Sequence, residues 1–307
     1  MDFLTELTQF GVLFLMIAAG YVLGKTGRVS DKARDDIASF VLYIASPASI
    51  IFGMNIPMKQ QLLDDFLLLT GISIGVFLFT FAFSLVSARL LEKRDPIKRS
   101  IYGASIYFSN YGFMGWPVSG MFFPMNGMLY AQVFSIPLNV ILFSVTPAML
   151  SRAAGQPAKN VLRNILNPPV IGTAIAAALF LLQIQLPDIL GKTVQMLGDT
   201  QTPLAMAVVG LTLSKMKFRS VFTNGKAYIY AALKLIVLPL MVFGILQLMG
   251  FTGTVLGVPV LISAMPAGTM VLVLAQKYGK ESEFATQLIL LSTVLSLVTI
   301  PLFSLLV

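Results

Sequence analysis

Cysteine and histidine are both absent from the 307 residues, and tryptophan occurs once. Without cysteine there is no disulfide, no thiol nucleophile and no thiolate ligand. Without histidine there is no imidazole ligand for a metal and no imidazole proton relay. Charge is scarce too, at 11% of residues, against about a quarter in soluble domains. Nucleophilic triads lack their histidine, metalloprotease motifs cannot form, and no GxxxxGK phosphate loop occurs. The chain therefore reads as a non-enzyme without cofactor or metal. Any coupling ion, Na+ or H+, would fall to carboxylates or neutral oxygens.

Apolar residues fill the space, at 57% of the chain with a mean hydropathy of +0.86. A bilayer core about 30 Å thick needs about 20 apolar residues per helix, so the length allows about ten spans and no soluble domain. We expect them at 5–24, 34–55, 63–90, 98–122, 127–151, 166–185, 188–214, 226–249, 254–278 and 282–306. The N-terminal MDFLTELTQF carries two acids and no base before its apolar run, unlike a signal peptide, so that run is expected as a retained span.

The net charge of +8 lies in short clusters between apolar runs rather than on one face, which argues against a nucleic-acid partner. Of the 21 bases, all but Lys59, Lys192 and Lys234 fall in alternate loops: 25–34, 89–99, 152–163, 215–226 and 277–280. The positive-inside rule places those loops in the cytoplasm and both termini outside it, across the inner membrane.

Five spans lie in each half, 1–152 and 166–307, joined by a cytoplasmic linker at 153–165. An odd number inverts the second half relative to the first. Landmarks recur at an offset near 155: Ser46-Pro47 with Thr202-Pro203, the break at Asn110–Pro117 with that at Met265–Gly268, and Thr146-Pro147 with Ile300-Pro301.

The fourth and ninth spans carry glycine and proline at mid-depth. Pro117 and Pro266 lack the amide donor, and Gly112, Gly115 and Gly268 relax steric limits, so discontinuous helices are expected. Isolated, each would read as a proline kink. Paired in inverted halves, they point to a transporter's central site, where half-helix N-termini favour an anionic group such as a carboxylate. Asn110, with Ser109, Tyr111, Gly112 and Phe113, would face the solute from the first break, although Asn110 could equally cap the broken helix. Ser263, Met265, Ala267, Gly268 and Thr269 would do so from the second, with Met265 and Met270 as an adaptable apolar wall. Ser46, Gln201 and Thr202, beside the hinge prolines Pro47 and Pro203, could line the cavity or a cation site, or belong to hydrogen-bonded kinks. Two charges lie deep in spans, Asp199 and Lys234. They are expected to pair or to flank the aqueous path, with snorkelling to the interface as the alternative for Lys234.

The string SNYGFMGWPV at 109–118 resembles the asparagine-x-glycine-phenylalanine-x-glycine-x-proline motif of the auxin efflux carrier family, in its bacterial form, and 265–301 resembles its last two helices. The resemblance implies an all-α polytopic membrane protein. Its ten helices would form two inverted five-helix repeats with crossed broken helices, as in the bile-acid sodium symporter and NhaA-like folds. It implies a scaffold of spans 1, 2, 6 and 7 that dimerises, and a transport domain of spans 3–5 and 8–10 that moves as an elevator. Asn110 takes the position of the substrate-binding asparagine, and Pro117 and Pro266 those of the crossover prolines. The implied function is secondary transport of a small organic anion, auxin-like or malate-like. The alternatives are a sodium-coupled symporter of bile-acid or pantothenate type and a ligand sensor on the same fold.

Overall fold

The computed structural model describes residues 3–56, 60–155, 168–215, 225–269, 271–272, 275 and 281–307. The linker expected at 153–165 falls largely outside them, as does Met270. Among the described residues the regular structure is helical. The first half contains α1 (Phe3–Lys25), α2 (Asp31–Phe40), a π turn π1 (Val41–Ala45), α3 (Ser46–Gly53), α4 (Gln60–Leu91), α5 (Pro96–Tyr107), π2 (Tyr111–Gly115), α6 (Trp116–Phe122) and α7 (Gly127–Ala153). The second contains α8 (Pro168–Leu181), α9 (Asp188–Asp199), α10 (Gln201–Ser214), α11 (Gly225–Ala232), π3 (Leu233–Val237), α12 (Leu238–Leu248), α13 (Gly253–Ala264) and α14 (Ser282–Ser304).

Four helices are long and apolar enough to cross a bilayer among the described residues: Asp31–Gly53, Leu62–Leu91, Gly225–Leu248 and Ser282–Ser304. A fifth candidate, α7, bends by 42° between Gly127–Asn139 and Ser144–Ala153, and it holds Pro137 and Pro147 inside the helix.

The three π turns share one cause. Each is followed two residues later by a proline: Pro47 after π1, Pro117 after π2 and Pro239 after π3. A proline deprives the carbonyl four residues back of its donor. Widening the register by one residue absorbs that loss, and the Ser46 and Leu238 amides accordingly donate to the Val41 and Leu233 carbonyls, five residues back.

The chain divides into two compact units. The first comprises Met1–Leu67, Gly112–Gln132 and Leu166–Met216, and the second Leu68–Tyr111, Val133–Ile165 and Lys217–Val307. In the first unit α1 lies against α10, and α3 against α8 and α9. Small residues set these approaches: a Cβ on Gly210 would lie 2.0 Å from the Ile17 carbonyl oxygen, and one on Gly20 would lie 2.3 Å from that of Ala207. Lipid gives helices no hydrophobic reason to associate, so close backbone contact of this kind supplies the packing. In the second unit α13 packs against α12 and α14, and α14 against α5 and α11.

Candidate functional site

The second unit holds both helix breaks. Asp95 begins α5, accepting from the Ile97 and Lys98 amides with Pro96 in the first turn. The helix ends at Tyr107, and Phe108 is extended at φ −97°, ψ 101°. On α13 the stop has a direct cause. Met265 precedes Pro266 and is held out of the helical region, at φ −63°, ψ 149°.

The two extended segments run antiparallel and pair across Ser109 and Ala267. The Asn110 amide donates to the Pro266 carbonyl at 2.8 Å, and the Gly268 amide to the Phe108 carbonyl at 3.1 Å. The Ala267 amide donates to Ser292 Oγ at 3.2 Å. These bonds supply partners that the breaks removed, as apolar surroundings require. Gly268 is needed here because a Cβ would meet the Phe108 ring at 2.0 Å.

The first break differs from the expectation. The extended residues are Phe108–Asn110, and the chain is helical again from Tyr111. Pro117 is the second residue of α6, inside the resumed helix rather than in the crossing, because π2 accommodates its missing donor. Gly115 has ordinary helical dihedrals at φ −62°, ψ −44°, and neither Gly112 nor Gly268 has a positive φ. None of the three adopts a left-handed conformation.

Asn110 is buried, and its side-chain amide has no hydrogen-bond partner among the described residues. Ser109 Oγ accepts from Lys234 Nζ at 2.5 Å, and the same ammonium donates to the Ser263 carbonyl at 3.2 Å. The Ser263 hydroxyl is engaged with the Pro259 carbonyl at 2.8 Å. Met265 is fully buried, and Thr269 is half-buried. Tyr111 is positioned by its hydroxyl, which donates to Asn139 Oδ1 at 2.9 Å, and by an edge-on contact with Phe108. Tyr107 pairs with Thr146 at 2.5 Å. A small cavity of about 20 Å³, enough for a water molecule, is lined by Ser109, Tyr111, Ser263, Tyr107, Phe77 and Phe134, among others.

The remaining candidates, apart from Lys234 of the second unit, belong to the first unit. Ser46 is buried at the start of α3, and Pro47 packs where a Cβ on Gly172 would come within 2.7 Å. Gln201 is fully buried, its Nε2 3.5 Å from the Gly112 carbonyl oxygen. Phe113 is half-buried, and Pro203 is the third residue of α10. Asp199 and Thr202 line a cavity of 480 Å³ with Ser49, Gln132, Asn126 and Pro117. Lys234 has no exposed surface, which sets aside snorkelling. Its hydrogen bonds go to Ser109 and Ser263.

Residues that the sequence reading passed over include Asn139, Ser292 and Gln132. Gln132 donates to Ser49 Oγ at 3.0 Å. Each is a buried polar residue within an apolar helix, and that property is the signal that could have found them.

A family profile described as membrane transport protein matches residues 7–304. An "Uncharacterized transporter" of Methanothermobacter thermautotrophicus is 26% identical, covering 97% of this chain and 96% of its own length. A protein of Rhizobium meliloti named "Putative malonate transporter" is 25% identical over 95% of this chain and 91% of its own. "Uncharacterized transporter YfdV" of Escherichia coli K12 is 23% identical over 98% and 96%.

Proposed function

The chain belongs to the membrane transport protein family, and we propose that it is a secondary transporter of a small organic anion, a mono- or dicarboxylate. The observation that carries this reading is the pairing of two extended breaks in apolar helices, with the buried Asn110 amide at one of them lacking a partner among the described residues. Broken backbone at such depth is tolerated beside a solute path, and a helix that resumes beyond a break offers free amides at its N-terminus. A carboxylate satisfies those donors and accepts from the Asn110 amide. The name of the Rhizobium meliloti relative favours the same solute class.

The carrier has ten spans in two inverted repeats in the inner membrane, with both termini outside the cytoplasm. It works by alternating access, spans 3–5 and 8–10 moving against a scaffold of spans 1, 2, 6 and 7 that forms a homodimer. The grouping of residues 68–111, 133–165 and 217–307 in one compact unit, and of 1–67 with 166–216 in the other, supports this division for all but Gly112–Gln132, which groups with the second set. No chemical step is assigned to the protein.

The test is uptake of radiolabelled malonate, malate, succinate and indole-3-acetate into proteoliposomes under imposed sodium, proton and voltage gradients. Saturable uptake of at least one acid, lost in Asn110→Ala, is expected, and the gradient that drives it identifies the coupling. Binding without flux would convert the reading to a ligand sensor. Uptake strictly dependent on sodium would make it a symporter.

A further inference from the structure

We propose that Lys234 is the specificity-determining residue that makes this carrier select anionic over neutral solutes, an inference that rests on the anion-carrier reading above. Where two helices break and cross, four helix ends meet. The ends of α5 and α13 each carry about −0.5 elementary charge on their last carbonyls, and a helix that resumes beyond a break carries about +0.5 at its start. A crossing of backbone alone is therefore balanced and has little reason to prefer charge.

Lys234 changes that balance. It lies in π3, the turn imposed by Pro239. Its ammonium donates to the Ser263 carbonyl in the last turn of α13 at 3.2 Å, and to Ser109, two residues beyond the end of α5, at 2.5 Å. When protonated, it sets a positive charge at the two negative ends. It is fully buried and forms no ion pair with a carboxylate among the described residues. A net positive charge in an apolar surround is costly, and a solute carboxylate removes the imbalance where its neutral isostere does not. Asn110 offers hydrogen bonds that an amide or an acid could both accept, so it cannot make this distinction.

The experiment compares malonate with its uncharged analogue malonamide in proteoliposomes holding wild type, Lys234→Gln, Lys234→Met or Lys234→Arg. Glutamine keeps a donor for Ser109, so a folded neutral variant is available should the methionine variant aggregate. Wild type is expected to take up malonate and to ignore malonamide. Lys234→Gln should raise the malonate KM about tenfold or more, the worth of a charge-assisted contact. Malonamide should then compete to within about threefold of malonate, and Lys234→Arg should restore discrimination. A neutral variant that folds, transports and still rejects malonamide as wild type does would overturn the proposal. Absence of malonate flux in folded wild type, with another carboxylate carried, moves the same comparison to that acid and its amide. Absence of flux for every acid refutes the anion reading and the proposal with it.

Discussion

Substituting Gly268 by alanine probes the crossing with the least change in composition. A methyl group there would place its carbon 2.0 Å from Cε1, 2.5 Å from Cδ1 and 2.8 Å from Cζ of Phe108. The ring is buried and meets Tyr111 edge-on at 5.5 Å, and the cavity of about 20 Å³ that it lines is too small to take a displaced ring. Overpacking of this kind costs about 1–3 kcal/mol. Displacing Phe108 also stretches the bond from the Gly268 amide to its carbonyl, now 3.1 Å, for a further 0.5–1.5 kcal/mol or about that. Gly268→Ala should therefore destabilise the protein by about 2–4 kcal/mol, read by denaturant unfolding in detergent, and should slow solute uptake. The cause is isolated by a double-mutant cycle. Phe108→Ala alone should cost about 3–5 kcal/mol through its cavity, but it removes the atoms that clash. The double variant should then be more stable than the sum of the two by at least about 1 kcal/mol. Additive costs, or a Gly268→Ala protein within about 0.5 kcal/mol of wild type, would refute the packing argument.

Gly210→Val should be more damaging, at about 3 kcal/mol or more, because the Ile17 carbonyl at 2.0 Å and the Tyr21 amide nitrogen at 2.7 Å are backbone and cannot rotate away. A wild-type melting temperature for this variant would contradict the α1–α10 approach. Tyr111→Phe and Asn139→Leu should each cost about 1–3 kcal/mol by stranding a buried partner, whereas the double variant strands neither and should recover part of the loss. Equal and additive losses would mean the hydrogen bond does not matter. At the end of α4, the Arg94 and Asp95 amides, aided by Lys226 at 3.3 Å, hold the Glu92 carboxyl below its ordinary value of 4.5. A depressed folded-state pKa gives stability that is present above the unfolded value and is lost as pH falls through the folded one. The gap in melting temperature between wild type and Glu92→Gln should therefore be full at about pH 7 and close by about pH 3. A gap that ignores pH would exclude the carboxylate as its cause.

Much of the helical layout was legible because hydropathy and loop charge report it directly. The helix expected at 63–90 is Gln60–Leu91, and that expected at 226–249 is Gly225–Leu248, interrupted by π3 without losing its direction. The second break was legible because Pro266 forces its neighbour out of the helix. The first was misplaced by several residues, since Pro117 marks it in sequence but is absorbed by π2, while the extended residues Phe108–Asn110 carry no comparable mark. The π turns themselves were invisible, because a shift of one hydrogen-bond register leaves composition unchanged. Lys234 was visible as an anomaly, but its partners lie 125 and 29 residues away in the chain, and only the fold reveals that it stands at a helix C-terminus. For the same reason the roles of Ser292 and Asn139 depend on tertiary contacts that no local pattern encodes.

The central claim is tested most directly by counterflow. Sealed vesicles containing purified protein are loaded with unlabelled malonate, malate and succinate, diluted into trace amounts of the same labelled acids, and compared with vesicles of Asn110→Ala. The account predicts transient accumulation of at least one label in wild-type vesicles and none above empty liposomes in the variant. Equal accumulation in both would remove Asn110 and the crossing from the solute path, and none in either would contradict carriage of these acids.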